Sequence, residues 1–248
     1  MDKKKKKRRR RKVSKKLKIF AVCFLIAGAV VFALMSPIFG IKQITVYGNE
    51  KIETETIISL SGLKIGDNIF KNRSNDVSAK IKQEPYIERV NINRKLPNTI
   101  EISVKEREVA YQIQVIDSYV YIDYQGYILE KSSEEMQVPI LEGMKTIQDE
   151  LLNGKRICKE DINYLNTILK IVENAKNIEI YDLITKIIIE NNTYVLYFKN
   201  ENKYAYLGNS SDITNKMLYV KTILQAEKGK TGNIYVDGER PRFREETL

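Results

Sequence analysis

IERVNINRKLPNTIEISVKE, residues 87–106, decides how the middle of this chain folds. Val90 and Ile92 alternate with polar neighbours, and so do Ile100, Ile102 and Val104. A period of two puts each set on one face of a strand. Between them Lys95, Leu96, Pro97 and Asn98 supply turn chemistry, so the stretch predicts an antiparallel hairpin, Ile87–Arg94 with Thr99–Glu106.

Working back from the hairpin, Pro85 ends a short helix that Ser74 can cap and whose Val77 and Ile81 lie four apart on one side. Gly66 and Asn68 mark a turn before it. Ile57, Ile58 and Leu60 give an earlier helix, about Glu53 to Ser61, with Gly62 placed to stop it. Ile44 and Val46 alternate in Ile41–Tyr47, a strand closed by Gly48 and Asn49. The order is strand, helix, helix, strand, strand. Phe70 is expected to fill the space between helix and sheet. Glu106 and Arg107, at the strand end, are expected either to form a surface pair or to fix a hinge.

Further towards the amino terminus, residues 19–41 carry no charge, while the eighteen before them hold thirteen Lys and Arg against Asp2. Such a stretch is long enough to cross a hydrocarbon core of about 30 Å as one helix. The basic flank places residues 1–18 in the cytoplasm and the rest outside. The segment 33–37, Ala-Leu-Met-Ser-Pro, is a poor cleavage site, so the anchor is expected to be retained. Ala29 and Ala33 form a small-x-x-x-small pair that could favour contact between spans.

The formal charge of +10 resides in that tail. Removing its thirteen bases and one acid leaves 29 bases and 31 acids, so the exported part is close to neutral. Anionic lipid is the expected ligand of the tail, in preference to nucleic acid. With no His, the usual Ser/His/Asp and Cys/His pairs cannot be built, nor can His-containing zinc sites. Cys23 falls in the span and Cys158 beyond it, so they cannot join within one chain. No glycine loop has phosphate-binding spacing, and no cofactor is expected.

Beyond the hairpin, Tyr111–Ile116, Tyr119–Tyr124 and Tyr127–Glu130 are expected strands. A helix from about Glu160 to Glu173 follows, with Ile162, Leu165, Ile168, Leu169 and Val172 in one stripe. Then come strands at Ile178–Tyr181, Thr185–Glu190, Tyr194–Lys199 and Tyr204–Leu207, and a helix from Asp212 to about Lys228. A closing strand, Gly232–Asp237, turns back into Arg240–Arg244.

Val46, Gly48 and Asn49, then Ser61, Gly62, Leu63, Gly66, Asn68 and Phe70, then Pro85, Tyr86, Arg94, Leu96 and Pro97, and last Glu106, Arg107, Val109 and Ala110 form an ordered set. That set resembles the POTRA module of the FtsQ/DivIB cell-division family. Asp123 with Gly126, and Val138, Pro139, Leu141 and Gly143, resemble the family's next segments, and Lys216 to Leu218 its Lys-Leu pair. The fold class expected is α+β: a transmembrane helix over 19–39, a POTRA-like βααββ module over 40–109, and a mostly antiparallel β domain with two helices over 110–248. Gly48, Asn49, Gly62, Gly66, Phe70, Pro85, Arg94, Pro97, Glu106 and Arg107 are expected to act structurally. The resemblance implies a non-catalytic, single-pass type II scaffold of the septum. Its terminal sheet edge would take up FtsB/DivIC-like and FtsL-like partners by strand addition, with septal peptidoglycan synthases beyond them. Candidate partner-binding residues are Tyr235, Asp237, Glu239, Arg240, Arg242 and Phe243. The alternative is a membrane-anchored Ser/Lys hydrolase of the envelope acting through Ser36.

Overall fold

The computed structural model describes residues 15–246. The basic tail up to Ser14 lies outside the described residues. The first helix, α1 (Lys15–Leu34), leaves Ile19, Phe20, Phe24 and Phe32 open all round it. Among the described residues no helix is long and apolar enough to cross a membrane. The uncharged part of α1 covers only about 24 Å at 1.5 Å per residue. The helix expected to run on to residue 39 stops earlier because Pro37 disfavours helical backbone at Ser36, which is extended at φ −59° and ψ 145°. Ser36 instead caps a short 3₁₀ turn, Pro37–Phe39.

Next come β1 (Gln43–Tyr47), α2 (Thr54–Ser61), α3 (Ser74–Ile81), β2 (Ile87–Lys95) and β3 (Thr99–Glu106), in the order expected. They form a three-stranded sheet, β1-β3-β2, in which β1 runs parallel to β3 with Ile44 opposite Ile100. Ile100, Ile102, Ile57, Val77 and Ile81 are buried, the alternation and the helical stripes meeting in one core. Gly48 follows β1 at φ +78°, and a Cβ there would collide with the Val104 carbonyl oxygen. Only glycine lets the chain turn so close to β3. Asn49 Nδ2 donates to Thr54 Oγ1 at 3.3 Å, Gly62 closes α2 in the left-handed conformation, and Gly66 turns at φ +90°. Arg94 clasps the loop before α3, donating to the carbonyls of Ile69 (2.9 Å) and Asn72 (2.5 Å) and to Ser74 Oγ (2.9 Å). Pro97 lies in the hairpin turn. Phe70 does not fill the interior: it is 41% exposed and leans on Phe39, while Ile69 takes the buried place.

The second sheet has nine strands, β4 (Tyr111–Val115), β5 (Ser118–Ile122), β6 (Ile128–Ser132), β7 (Ile140–Glu142), β8 (Lys186–Glu190), β9 (Thr193–Phe198), β10 (Lys203–Gly208), β11 (Gly232–Tyr235) and β12 (Arg242–Glu245). Their order is β12-β11-β10-β9-β8-β7-β4-β5-β6. Two helices, α4 (Lys159–Asn177) and α5 (Ile213–Ala226), cover one face. Leu165, Ile168, Ile171, Met217, Val220 and Leu224 pack there against Ile113, Ile187, Leu196 and Ile234. The sheet is mostly antiparallel, with parallel pairs only at β4–β7, β7–β8 and β10–β11. The strand expected at Ile178–Tyr181 does not form. α4 runs on to Asn177, and its end is closed by N–H groups of residues 178–180 reaching back to carbonyls of Asn174, Lys176 and Ala175. In compensation β7, too short to announce itself, lies mid-sheet.

The described chain gathers into two compact units. One holds residues up to Asn49 with Glu53–Ile81 and Val90–Val104; the other holds Glu50–Ile52, Lys82–Arg89 and everything from Lys105. Glu106 and Arg107 belong to the second and do not pair with each other. The Glu106 carboxylate accepts from the backbone N–H groups of Lys51 (2.8 Å) and Ile52 (3.0 Å). Arg107 donates to the fully buried Asp123 and lies 3.8 Å from the centre of the Tyr127 ring. Pro85 leads into buried Tyr86, whose hydroxyl donates to Glu130 Oε2 at 2.8 Å, and Lys51 Nζ reaches the same oxygen at 3.0 Å. The Tyr86 hydrogen bond, then that of Lys51, holds the Glu130 carboxyl below its ordinary pKa of 4.5. Because the folded pKa is depressed, this stabilisation is present above pH 4.5 and fades as pH falls through the folded value. Tyr86→Phe should therefore cost up to about 1 kcal/mol at pH 7, and its difference from the parent should shrink in acid. Urea titrations of both proteins at pH 7 and pH 3.5 check this.

Candidate partner-binding edge

β11 and β12 are paired antiparallel, with Gly232 opposite Glu245, Asn233 opposite Arg244, Ile234 opposite Phe243 and Tyr235 opposite Arg242. β12 is thus the outermost strand at this end, not β11, and among the described residues no other segment lies outside it. The opposite end differs. Outside β6, Gly154 N–H donates to the Ile128 carbonyl, Ile128 N–H donates to that of Lys155, and Tyr127 bridges to Arg156. Part of that edge is already occupied. An uncovered edge strand offers backbone donors and acceptors to an extended chain.

Side chains on the end strands split between two faces. Phe243 is half-buried and packs on the core beneath the helices, so it anchors β12. Arg242 and Arg244 are exposed on the other face, their guanidinium carbons 4.7 and 6.0 Å from the Tyr235 ring centre. Tyr235 stacks on Tyr206 with centroids 5.0 Å apart and planes 8° off parallel, and Tyr204 on β10 stacks on Tyr197 at 4.6 Å. Burial pushes the Tyr206 hydroxyl above the ordinary tyrosine range, with Tyr235 and Tyr204 adding to it. The helix-free face here is an aromatic row ending in two arginines.

Asp237, Glu239 and Arg240 are exposed in the turn from β11 to β12. The sequence reading thus names residues that divide into three groups: Tyr235 with Arg242 on the aromatic face, Phe243 in the core, and the turn. Lys216 on α5 approaches the turn. Burial lowers its ammonium from the ordinary lysine range, opposed by Asp212 and Asp237, while Nζ donates to the Asn209 carbonyl at 3.0 Å. Arg244 and the tyrosine pairs escaped the sequence reading, although Tyr204 and Tyr206, two apart, already marked one face of a strand. Ser36 Oγ, the hydrolase candidate, accepts from the Ile38 N–H at 3.5 Å, and among the described residues no lysine is hydrogen-bonded to it.

The family model for the POTRA domain, FtsQ-type, matches residues 39–107. The cell division protein DivIB of Clostridium acetobutylicum is 34% identical over 219 residues, covering 87% of this chain and 84% of its own. The chain belongs to the FtsQ/DivIB family of cell division proteins. DivIB of Clostridium botulinum is 31% identical over 237 residues, covering 91% of this chain and 90% of its own. FtsQ of Corynebacterium glutamicum, at 25% over 213 residues, covers 86% and 90%. The major extracytoplasmic domain of DivIB from Geobacillus stearothermophilus aligns with 49% of this chain and 94% of its own at 11% identity and a TM-score of 0.32, too loosely to carry any detail across. The matched residues 39–107 hold the three-stranded sheet with α2 and α3, and the edge at β12 belongs to the part of the chain that follows.

Proposed function

We propose that this protein is a non-catalytic bitopic scaffold of the bacterial divisome, inserted once in the membrane with its tail in the cytoplasm and residues from about 40 onward outside. A POTRA-like module over 40–109 and a β domain over 110–248 would make up the exported part. The anchor reading rests on the sequence, in which residues 19–41 carry no charge and follow a strongly basic flank. The tail would rest on anionic lipid.

The observation that carries the scaffold reading is the asymmetry of the nine-stranded sheet: backbone from 154–156 occupies one edge, and β12 ends the other. An extended segment of a septal coiled-coil partner of the FtsB/DivIC or FtsL kind would add to β12, with peptidoglycan synthases recruited through it. Main-chain bonds would supply affinity, and Arg240, Arg242 and Arg244 would favour an acidic strand and set its direction.

A photo-crosslinking side chain at Arg240 or Glu245 of the full-length protein in dividing cells should give a discrete adduct with another membrane-anchored septal protein, and one at Lys131, on β6, should not. Adducts from Lys131 alone would overturn the choice of edge. A fluorescent fusion at the amino terminus should band at midcell, and a uniform envelope signal would remove the septal reading altogether.

A further inference from the structure

The segment that leaves α1 does not run freely into the POTRA core. Asn68 Nδ2 donates to the Leu34 carbonyl at 2.8 Å, closing the end of the helix. Ile69 N–H donates to the Phe39 carbonyl, Gly66 N–H to that of Ile41, and Ile41 N–H to that of Asp67, each at 2.8 Å. Residues 34–41 and 66–70 are thus strapped together. Phe39 and Phe70 meet with ring centroids 5.4 Å apart.

This junction presents apolar surface outward. Met35 is 74% exposed, Ile65 64%, Ile38 59% and Phe70 41%. A groove of about 410 Å³ is walled by Val31, Leu34 and Met35 from α1 and its end, and by Asn68, Phe70 and Lys71 from the loop. Bulky apolar groups crowded on so short a stretch need a cover. Charge surrounds them: from Lys64 to Arg73 the chain carries Lys64, Lys71 and Arg73 against one acid, Asp67, which Lys71 pairs at 3.0 Å. Three exposed cations beside an aromatic ring and aliphatic tips make the pattern of a segment lying in a lipid interface.

We infer that the loop 64–73 is a membrane-contact surface, with Ile65 and Phe70 entering the outer leaflet beside α1 and Lys64 and Arg73 on lipid phosphates. The inference rests on α1 being the anchor. Given that, its occupant follows from continuity. The groove shares Val31, Leu34 and Met35 with the last turns of α1, so whatever covers that end of the helix also covers Phe70. The POTRA core would then stand on the bilayer through a second contact instead of swinging from a tether, which fixes its own orientation to the membrane plane.

The chain has no tryptophan, so one introduced indole reports without background. The full-length protein is reconstituted into phosphatidylcholine–phosphatidylglycerol vesicles with and without bromine on the upper acyl carbons, as Phe70→Trp, Ile65→Trp, Phe24→Trp or Ile116→Trp. Ile116, 84% exposed in a turn, sets the value for a solvated ring. The expected result is blue-shifted emission and several-fold quenching by bromolipid for Phe70→Trp and Ile65→Trp, together with quenching for Phe24→Trp. Quenching at Phe24→Trp with solvent-like, unquenched emission at both loop positions would overturn the inference and leave the anchor standing. Blue-shifted but unquenched loop emission would mean that protein, such as a second copy, covers the patch, and would overturn it equally. No quenching at Phe24→Trp would remove the anchor and this inference with it.

Discussion

Arg107→Ala should destabilise the protein by about 3–5 kcal/mol, the cost of leaving a buried charge without its partner. Asp123 is fully buried and the Arg107 side chain is 10% exposed, so water cannot take over the role of the guanidinium. Arg107 Nη1 also donates to Gln125 Oε1 at 3.3 Å, and its guanidinium carbon lies 3.8 Å from the centre of the Tyr127 ring. Asp123 would keep two donors, the backbone N–H groups of Gln125 at 2.9 Å and Tyr127 at 2.8 Å, which hold the turn to β6. That retained support places the expected loss toward the lower end of the range. Urea unfolding of the detergent-solubilised chain measures it. Arg107→Met combined with Asp123→Asn should lose less than Arg107→Ala alone, since the double variant buries no unpaired charge. A loss below about 1 kcal/mol for Arg107→Ala would instead describe an exposed pair.

This residue illustrates where the sequence is legible. Strands and helices of the POTRA core declared themselves because their buried side chains follow periods of two and of three to four, and Gly48, Gly62 and Pro97 marked turns at which few other residues serve. The same holds for α4, α5 and the hairpin β11–β12. What the sequence does not carry is the partner of a polar side chain. Arg107 could be placed at a strand end, but nothing along the chain says that Asp123 is fully buried. Asp161, in the first turn of α4, is similar: it is buried and accepts from the N–H groups of Lys145 and Thr146 and from the Thr146 hydroxyl. Long-range pairing also decides β7, whose three residues join β4 to β8 through parallel contacts that no local pattern encodes. Phe70 differs from its expected place for a related reason: an aromatic ring reads as core, and nothing along the chain says that it leans on Phe39 with 41% of its surface open.

The edge itself depends on one residue without a side chain. Gly232 lies opposite Glu245, and a Cβ on it would collide with the Arg244 carbonyl oxygen and stand 2.9 Å from both Glu245 Cα and the Phe243 ring. Backbone atoms cannot move aside as a flexible side chain would, so Gly232→Val should push β12 off β11. The loss to the rest of the sheet should be small, because β11 keeps its parallel pairing with β10 and Ile234 stays in the core. With the partner adding to β12 as proposed, binding should fall by more than about 100-fold, equivalent to nearly 3 kcal/mol, because the strand proposed as its template would be displaced. Arg242→Ala should act differently. It leaves β12 in place and removes one charge from the rim, so it should chiefly slow association and weaken its salt dependence. Measuring on-rates, off-rates and thermal stability of both variants against one partner separates the two effects. If Gly232→Val kept full affinity while β12 was displaced, as judged by faster hydrogen exchange at residues 242–245, the partner could not be adding to this strand. The aromatic row of Tyr197, Tyr204, Tyr206 and Tyr235, whose stacking the displaced strand leaves intact, would then be the next surface to substitute.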